Sequence, residues 1–211
     1  MVEASAFITA GGRSSRMGRD KAWLEIGGRP MIERVVEALK PVTTSIGIIA
    51  NSDDYLRLGF PVFADTHTGV GPLEAIRTAL ANSPTEWVVL IGCDMPFVTS
   101  ELFAFLLSIA EQETTDYGRR TADGGVAAVV PLNENGLPEP LCAVYSRAAL
   151  PAVTALIADG GRKVSDLFDR TRTRFVAFDE VKDLPRAGLF FENINTPEDY
   201  ESAQKSLILR A

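Results

Sequence analysis

Short apolar runs alternate with amphipathic stretches along the whole chain. The run WVVLIG at residues 87–92 is apolar at nearly every position, as expected for a strand buried on both faces. Strands are predicted at residues 6–10, 45–50, 62–64, 87–92, 126–131, 141–145 and 174–178. Helices are predicted at residues 30–39, 73–80, 101–110, 148–158, 164–168 and 198–207. This alternation predicts a three-layer α/β/α, Rossmann-like domain with a mostly parallel central sheet.

The length and composition fit one globular domain. The chain has 211 residues, of which 46% are hydrophobic and 23% are charged. A chain of this length can bury a substantial core, so we expect residues 1–211 to form a single domain. Residues 112–125, QETTDYGRRTADGG, are polar and contain glycine. This segment is predicted to be a mobile loop or an insertion, with a lid as one possible role.

The charge and the cysteine content restrict the partners and the compartment. A net charge of −7 argues against an extended nucleic-acid surface, so a small phosphorylated ligand is favoured. Two isolated cysteines predict neither a disulfide framework nor a zinc site. The chain starts without a signal-like segment and has no apolar run of membrane-spanning length. We therefore expect a cytoplasmic protein with no membrane contact.

A glycine-rich, basic loop follows the first predicted strand. The segment AGGRSSRMGRDK at residues 10–21 combines three glycines with four cations. Glycines allow close approach of backbone N–H groups, and the cations attract phosphate, so the loop is predicted to bind a polyanion. The loop lacks the G-x-G-x-x-G spacing of a dinucleotide site, and its Gly18-Arg19 and Lys21-Ala22 pairs do not match a Walker A loop.

Asp94 follows the most apolar strand, inside the sequence Gly92-Cys93-Asp94-Met95-Pro96. A carboxylate at the end of a buried strand requires a cationic partner, and Mg²⁺ suits one carboxylate combined with phosphate oxygens. Asp94 is thus a candidate metal ligand, with a turn or capping role as the alternative. Cys93 has no base beside it in the sequence and is interpreted as a small buried side chain.

Two further strand ends carry polar residues. Asp65 follows the third predicted strand and is a candidate for contact with a base or a ribose, whereas His67 is interpreted as a surface residue. Near the C-terminus, Asn193 and Asn195 alternate with Ile194, so both amides are predicted on one side of an extended segment. They are candidates for binding phosphate or metal-bound water, or are turn formers.

These features together resemble one family. The string ITAGGRSSRMGRDKAWLEIGGRP is similar to the signature of the molybdenum cofactor guanylyltransferases, the MobA family of the nucleotidyltransferase superfamily. The resemblance continues through FADT, GPLEAI, CDMP, PLCAVYS, GGRKVSDLF and NINTPEDY, and it covers essentially the whole chain. It implies a nucleotidyltransferase that transfers GMP from GTP to the phosphate of molybdopterin with Mg²⁺ and releases pyrophosphate.

The resemblance also implies residue roles, with the nucleotide bound by the N-terminal part and the acceptor by the C-terminal part. On the matching positions it implies nucleotide contacts for Thr9, Ala10, Gly11, Lys21, Asp65 and Asp94. The backbone N–H groups of Gly12, Ser14 and Ser15 are added as nucleotide-binding groups because they belong to the glycine-rich loop. Arg16 and Lys21 would contact the pyrophosphate side and act with Asp94, the Mg²⁺ ligand, as the catalytic residues. Arg162, Lys163, Asn193 and Asn195 are the candidates for binding the acceptor, with a solvated helix end as the alternative for the basic pair. A monomer that contacts cofactor-delivery proteins is expected.

Some positions depart from the family pattern. Glu74-Ala75 stands where a small residue and a glycine are usual, and Glu139 stands where a glutamine is frequent. The family has a nucleotide-binding asparagine in the strand around residues 45–51, and its position is shifted in this chain. Ile49 or Asn51 is its equivalent. Three other functions are alternatives: a cytidylyl- or other nucleotidyltransferase with another phosphorylated acceptor, a glycosyltransferase and a non-catalytic nucleotide-binding regulator. The chain contains no Asp-x-Asp metal motif of the glycosyltransferase type.

Overall fold

The structure, a computed structural model, describes residues 2–11, 20–66, 70–117 and 125–209. Nine strands lie in these ranges: β1 (Ala4–Thr9), β2 (Glu25–Ile26), β3 (Arg29–Pro30), β4 (Ser45–Ile49), β5 (Val62–Phe63), β6 (Trp87–Gly92), β7 (Ala128–Pro131), β8 (Cys142–Ser146) and β9 (Thr173–Val176). Seven of them form one sheet in the order β5-β4-β1-β6-β8-β7-β9, while β2 and β3 form a separate antiparallel hairpin.

The seven-stranded sheet is mostly parallel, as predicted. β1 lies between β4 and β6 and runs parallel to both, so that Thr9 pairs with Ile49 on one side and with Gly92 on the other. β8 is the exception, because it runs antiparallel to both β6 and β7. The apolar sequence of β8 did not reveal this reversal. Because β7 is in turn antiparallel to β8, it points in the same direction as β6. The six strands other than β8 therefore share one carboxyl edge, where the loops that follow them meet.

Helices cover both faces of the sheet. They are α1 (Met31–Leu39), α2 (Pro72–Asn82), α3 (Ser100–Tyr117), α4 (Leu150–Ala158), α5 (Val164–Arg170), α6 (Phe178–Val181) and α7 (Pro197–Leu209). The core on one face contains side chains of α1, α3 and α6, and the core on the other contains those of α2, α4 and α5. Alternate residues of β6 point into the two cores: Val89 and Ile91 into the first, Val88 and Leu90 into the second. The predicted three-layer architecture is confirmed.

A third, smaller core attaches the C-terminal helix. Ile26 of the β2–β3 hairpin packs with Met31, Ile194 and Ala203, and all four side chains are almost fully buried. The hydroxyl of Tyr200 in α7 donates to the Glu25 carbonyl at 2.7 Å. The segment that precedes α7 is thereby held at the carboxyl edge of the sheet, because the Ile194 N–H also donates to the Asp94 carbonyl at 3.0 Å.

Several predicted boundaries are wrong. The segment at 112–125 was predicted as a loop, but α3 continues through Tyr117; residues 118–124 lie outside the described ranges. The polar residues at the end of α3 are helical because the apolar first turns already anchor the helix, and Glu, Gln and Thr are tolerated in its continuation. The strand predicted at 174–178 ends at Val176, and Phe178 begins α6 instead. No helix in the described part of the chain has the length and apolar character needed to cross a membrane.

Candidate active site

The ends of β1 and β6 bring the first predicted site residues together. Beyond Thr9, the Ala10 N–H donates to the Ile49 carbonyl at 2.9 Å, and the Cys93 N–H donates to the Thr9 carbonyl at 3.0 Å. Gly11 follows with φ +81°, a left-handed conformation that strains residues with a Cβ. The chain therefore leaves the sheet between the ends of β4 and β6, as expected for a ligand-binding loop at the carboxyl edge.

Lys21, Asp94 and Asn195 form a polar cluster at this edge. The ammonium of Lys21 donates to Asp94 Oδ2 at 2.7 Å and to Asn195 Oδ1 at 2.8 Å. The side chains of Lys21 and Asp94 remain 18% and 21% exposed, so a ligand can reach both. Residues predicted to contact the phosphate, the metal and the acceptor thus meet at one point, although they are far apart in the sequence.

The carboxylate of Asp94 occupies space left by the absence of a side chain at Gly92. A Cβ added at Gly92 would overlap Asp94 Oδ1. Among the described residues, no group of three His, Cys, Asp or Glu side chains is arranged to hold a metal ion by itself. One carboxylate with neighbouring amide oxygen fits Mg²⁺, which takes few protein ligands and completes its shell with water and phosphate oxygens.

Asp20 organises the turn that carries Lys21. Its Oδ1 accepts a hydrogen bond from the Ala22 N–H at 3.1 Å and thereby caps the one-turn 3₁₀ helix Lys21–Trp23. Its Oδ2 accepts a second hydrogen bond, at 2.6 Å, from the hydroxyl of the fully buried Tyr55. The Trp23 ring stacks on Tyr55 with 5.5 Å between centroids, and the Arg57 guanidinium lies over Trp23. Sequence analysis missed Tyr55.

Asp65 lies in a network with the unexpected Glu74. Asp65 Oδ1 accepts from the Thr78 hydroxyl at 3.3 Å. Glu74 is fully buried and accepts from the Thr66 N–H at 3.0 Å and from Arg77 at 2.6 Å, which ties the loop after β5 to α2. Burial raises the pKa of the Asp65 carboxyl, and the Glu74 charge adds to this rise. The glutamate that departs from the family pattern therefore has a structural explanation.

Asp199 fixes the backbone at Asn195, one of the two candidate asparagines. Its Oδ2 accepts from the N–H groups of Asn195 at 2.9 Å and Thr196 at 2.8 Å. Ile194 is buried and Asn195 is exposed, as the alternation predicted, and Asn193 is half-buried. The segment therefore presents the Asn195 amide to Lys21 while Ile194 anchors it.

The second departure from the family pattern, Glu139, lies near Asp94. Burial raises the pKa of the Glu139 carboxyl and the charge of Asp94 adds to the rise, whereas the hydrogen bond from Asn133 Nδ2, at 2.8 Å, opposes it.

Ile49 and Asn51 are the two candidates for the family's nucleotide-binding asparagine. The side chain of Ile49 is buried in the core, whereas Asn51 is exposed, so a ligand can reach Asn51 and not Ile49.

The basic pair Arg162 and Lys163 stands apart from the cluster. Both side chains are exposed and precede α5, a seven-residue helix. No hydrogen bond or ion pair described in the structure joins either residue to Lys21 or Asp94. Their role in binding the acceptor therefore stays a prediction.

Four of the predicted site residues lie outside the described ranges, namely Gly12, Ser14, Ser15 and Arg16. His67, which was interpreted as a surface residue, lies outside them as well. Cys93 is fully buried next to Asp94, and burial raises the pKa of its thiol. A thiol in this environment stays protonated and does not act as a nucleophile.

The sequence profile of the MobA-like NTP transferase domain matches residues 6–174. The chain belongs to this family. The match includes the glycine-rich loop, Asp65 and Asp94, and it ends before Asn193 and Asn195. The prediction of a MobA-type nucleotidyltransferase enzyme is confirmed.

Two relatives match this chain over all or nearly all of their own length. A probable molybdenum cofactor guanylyltransferase of Carboxydothermus hydrogenoformans is 32% identical over 210 residues and covers 100% of both chains. The corresponding protein of Pelotomaculum thermopropionicum is 34% identical, over 97% of this chain and 93% of its own. These full-length matches extend the similarity to the NINTPEDY segment.

Solved structures show the same fold. Molybdopterin-guanine dinucleotide biosynthesis protein A of Archaeoglobus fulgidus superposes with a TM-score of 0.78 at 23% identity, over 97% of this chain and 99% of that one. A 2-C-methyl-D-erythritol 4-phosphate cytidylyltransferase of Thermus thermophilus superposes with a TM-score of 0.67 at 17% identity, over 99% of this chain and 100% of that one. The fold is therefore shared by proteins whose names indicate different bases and acceptors, so the fold by itself does not determine the base.

Proposed function

We propose that the protein is a magnesium-dependent guanylyltransferase that transfers GMP from GTP to the phosphate of molybdopterin. The observation that carries the proposal is the convergence of Lys21, Asp94 and Asn195 at the carboxyl edge of the sheet. The names of the relatives support nucleotide and molybdopterin substrates, and they motivate the choice of guanine.

The reaction requires alignment of two polyanions. A phosphate oxygen of the acceptor attacks the α-phosphorus of GTP, the bond from that phosphorus to the bridging oxygen of the β-phosphate breaks, and pyrophosphate leaves with the electron pair. A phosphate monoester is already a competent nucleophile, so the site needs no general base. The catalytic task is to place the reactants in line and to stabilise the developing negative charge.

Each part of the nucleotide has candidate residues in the N-terminal part of the chain. Thr9, Ala10 and Gly11 would line the guanine and ribose, with Asp65 as a further contact. Backbone N–H groups of Gly12, Ser14 and Ser15 would bind the triphosphate, and Arg16 and Lys21 would neutralise the pyrophosphate. Lys21 suits this role, because its side chain is 18% exposed and its ammonium lies beside the end of β6, at Asp94.

The divalent metal would be held by Asp94. Nucleotidyltransferases of this kind typically use a divalent metal, and we propose Mg²⁺ because the donor set consists of a carboxylate and amide oxygens. When bound, the ion would polarise the α-phosphate and neutralise its charge. The Lys21 ammonium now paired with Asp94 would then turn to the phosphates, a short movement for a flexible side chain.

The acceptor would bind beside the nucleotide, on the C-terminal part of the chain. Asn195, already in contact with Lys21, and Asn193 would orient the acceptor phosphate or metal-bound water, and Arg162 and Lys163 would add positive charge. One sheet carries both parts, which supports a single domain over residues 1–211. A cytoplasmic monomer that contacts cofactor-delivery proteins belongs to the same proposal.

A nucleotide screen tests the proposed reaction. The protein is incubated with molybdopterin, Mg²⁺ and either GTP, CTP, UTP or ATP, and pyrophosphate release is measured. We expect release with GTP that depends on molybdopterin. Release with CTP alone of the four would establish the cytidylyl alternative, and release with GTP that ignores molybdopterin would show another acceptor.

Replacing Asp94 tests the site assignment. Asp94→Ala is expected to lower turnover about a hundredfold or more, with a modest loss of GTP binding, because it removes one element of charge stabilisation. Asp179→Ala is the control, because it removes an exposed carboxylate paired with Lys182. Steady-state pyrophosphate release by both variants provides the measurement. Parent-like turnover of Asp94→Ala would exclude Asp94 as a catalytic residue.

A further inference from the structure

Tyr55 connects the two ends of the glycine-rich loop. On the N-terminal side, a Cβ added at Gly11 would lie 3.8 Å from the Tyr55 hydroxyl oxygen. On the C-terminal side, the same hydroxyl donates to Asp20 Oδ2 at 2.6 Å. Gly11 and Asp20, which flank residues 12–19 in the sequence, therefore both lie beside one buried side chain.

We propose that Tyr55 and Asp20 form a positioning pair that fixes the turn carrying Lys21. The Lys21 ammonium is thereby kept at the carboxyl end of β6, paired with Asp94 in the unliganded protein and within reach of the phosphates when nucleotide and metal are bound. Asp20 is adjacent to Lys21 and uses both carboxylate oxygens, one to cap the turn Lys21–Trp23 and one to accept from Tyr55. Fixing this carboxylate fixes the start of the turn, and hence the direction of the Lys21 side chain. The effect on turnover rests on the proposed function, whereas the effect on the Lys21 environment does not.

The pair is well suited to a permanent structural contact. Tyr55 is fully buried and is packed against Trp23, so its ring is already ordered before the hydrogen bond forms. Burial and the hydrogen bond to Asp20 raise the pKa of the Tyr55 hydroxyl, which therefore remains a donor throughout the physiological pH range. Hydrogen bonds to charged groups are the stronger class, and this one spans 35 residues of sequence.

The first test measures the environment of Lys21 without any substrate. Each lysine is trace-labelled with an amine-acylating reagent, and the labelling of Lys21 is compared by mass spectrometry with that of the exposed Lys40 in the same sample. Tyr55→Phe keeps the ring and removes the hydroxyl. We expect the Lys21 to Lys40 ratio to rise several-fold in this variant, because Lys21 leaves Asp94 more often.

Tyr145→Phe is the matched control. Tyr145 is also fully buried, and its hydroxyl donates to the Pro140 carbonyl at 2.9 Å, in the core on the other face of the sheet. This variant is expected to lose comparable stability and to keep the parental labelling ratio. An unchanged ratio in Tyr55→Phe, or an equal rise in both variants, would overturn the proposal.

The second test uses turnover and separates the proposal from the proposed function. Tyr55→Phe is expected to lower kcat/KM about tenfold. A tenfold change is the size that corresponds to the energy of one hydrogen bond to a charged group. In a Lys21→Ala background the same substitution should change kcat/KM less than about twofold, since the residue through which it acts is gone. A full additional loss in that background would show that Tyr55 acts independently of Lys21.

A third variant covers the possibility that Tyr55→Phe does not fold. Asp20→Asn keeps an oxygen for the Ala22 N–H and removes the charge that Tyr55 contacts. It is expected to raise the Lys21 to Lys40 labelling ratio above that of the parent protein, and a parental ratio here would overturn the proposal. Absence of turnover in the parent protein would contradict the proposed guanylyl transfer, while the labelling result would still decide the role of the pair.

Discussion

At the scale of single residues, Gly92 determines where the Asp94 carboxylate can lie. A Cβ at Gly92 would overlap Asp94 Oδ1, so Gly92→Ala should displace the carboxylate. We expect pyrophosphate release to fall about ten- to a hundredfold, since a displacement near 1 Å has effects of this size. Gly125→Ala is the control, because its Cβ would meet no atom within 4 Å. Equal turnover of the two variants would show that the carboxylate position is not critical.

Single residues also show which part of the site is predictable from sequence. Asp94 and Lys21 were predicted because a carboxylate after a buried strand and a cation in a glycine-rich loop are recognisable by residue type. Tyr55 was missed because its role depends on a contact with Asp20 that only the folded chain creates. Glu74 was noted as an unusual residue, but its buried contacts with Thr66 and Arg77 could not be predicted without the position of α2.

At the scale of secondary structure, Glu74 attaches α2 to the loop after β5. Glu74→Ala leaves the Thr66 N–H and the Arg77 guanidinium without this partner, and removal of one member of a buried pair is costly. We expect the free energy of unfolding in urea to fall by about 3 kcal/mol. Asp159→Ala, which breaks an exposed pair with Arg170, should change it by less than about 0.5 kcal/mol. Similar losses in both variants would contradict a special role for Glu74.

Asp199 stabilises the start of α7 in a pH-dependent manner. Hydrogen bonds from the N–H groups of Asn195 and Thr196 lower the pKa of this carboxyl in the folded chain. The unfolded chain therefore binds the proton more readily, and the stabilisation is present above the ordinary aspartate pKa and is lost as the pH falls through the lower, folded value. Asp199→Ala should cost about 1 kcal/mol at neutral pH.

The free energies of unfolding of the parent protein and of Asp199→Ala are compared by urea unfolding between about pH 7 and pH 3. The difference between them should shrink below about pH 4, the ordinary range of the carboxyl pKa. Glu198→Ala is the control, because it removes a neighbouring acid from the same helical turn and leaves the capping contacts of Asp199 intact. A loss of stability in Asp199→Ala that stays constant over this pH range would exclude the carboxylate as its cause.

Secondary structure was predicted best where the sequence pattern has only one structural solution. The runs of β1, β4 and β6 are apolar and lie between turn signals, and all three strands form as predicted. The direction of β8 was not predictable, because an apolar run has the same pattern in a parallel and in an antiparallel strand. The extent of α3 was underestimated because its polar last turns depend on the anchored first turns rather than on their own composition.

At the scale of the whole molecule, the sheet order explains how distant segments form one site. β1 and β6 are neighbours in space although 77 residues lie between Thr9, the end of β1, and Trp87, the start of β6. The Lys21 turn, the Asp94 turn and the NINTPEDY segment all reach the same carboxyl edge. A ligand bound there contacts three separate parts of the chain, so binding is coupled to global stability.

Nucleotide binding should therefore raise the midpoint of thermal unfolding. A ligand at about a hundred times its Kd stabilises the folded state by about 2.7 kcal/mol, which corresponds to about 5–10 °C for a chain of this size. We expect this shift with GTP and Mg²⁺, and a much smaller one when a chelator removes the metal. The four nucleoside triphosphates are compared at equal concentration by differential scanning fluorimetry. A larger shift with CTP would contradict the preference for guanine, and equal shifts with all four would show that the site recognises only the triphosphate.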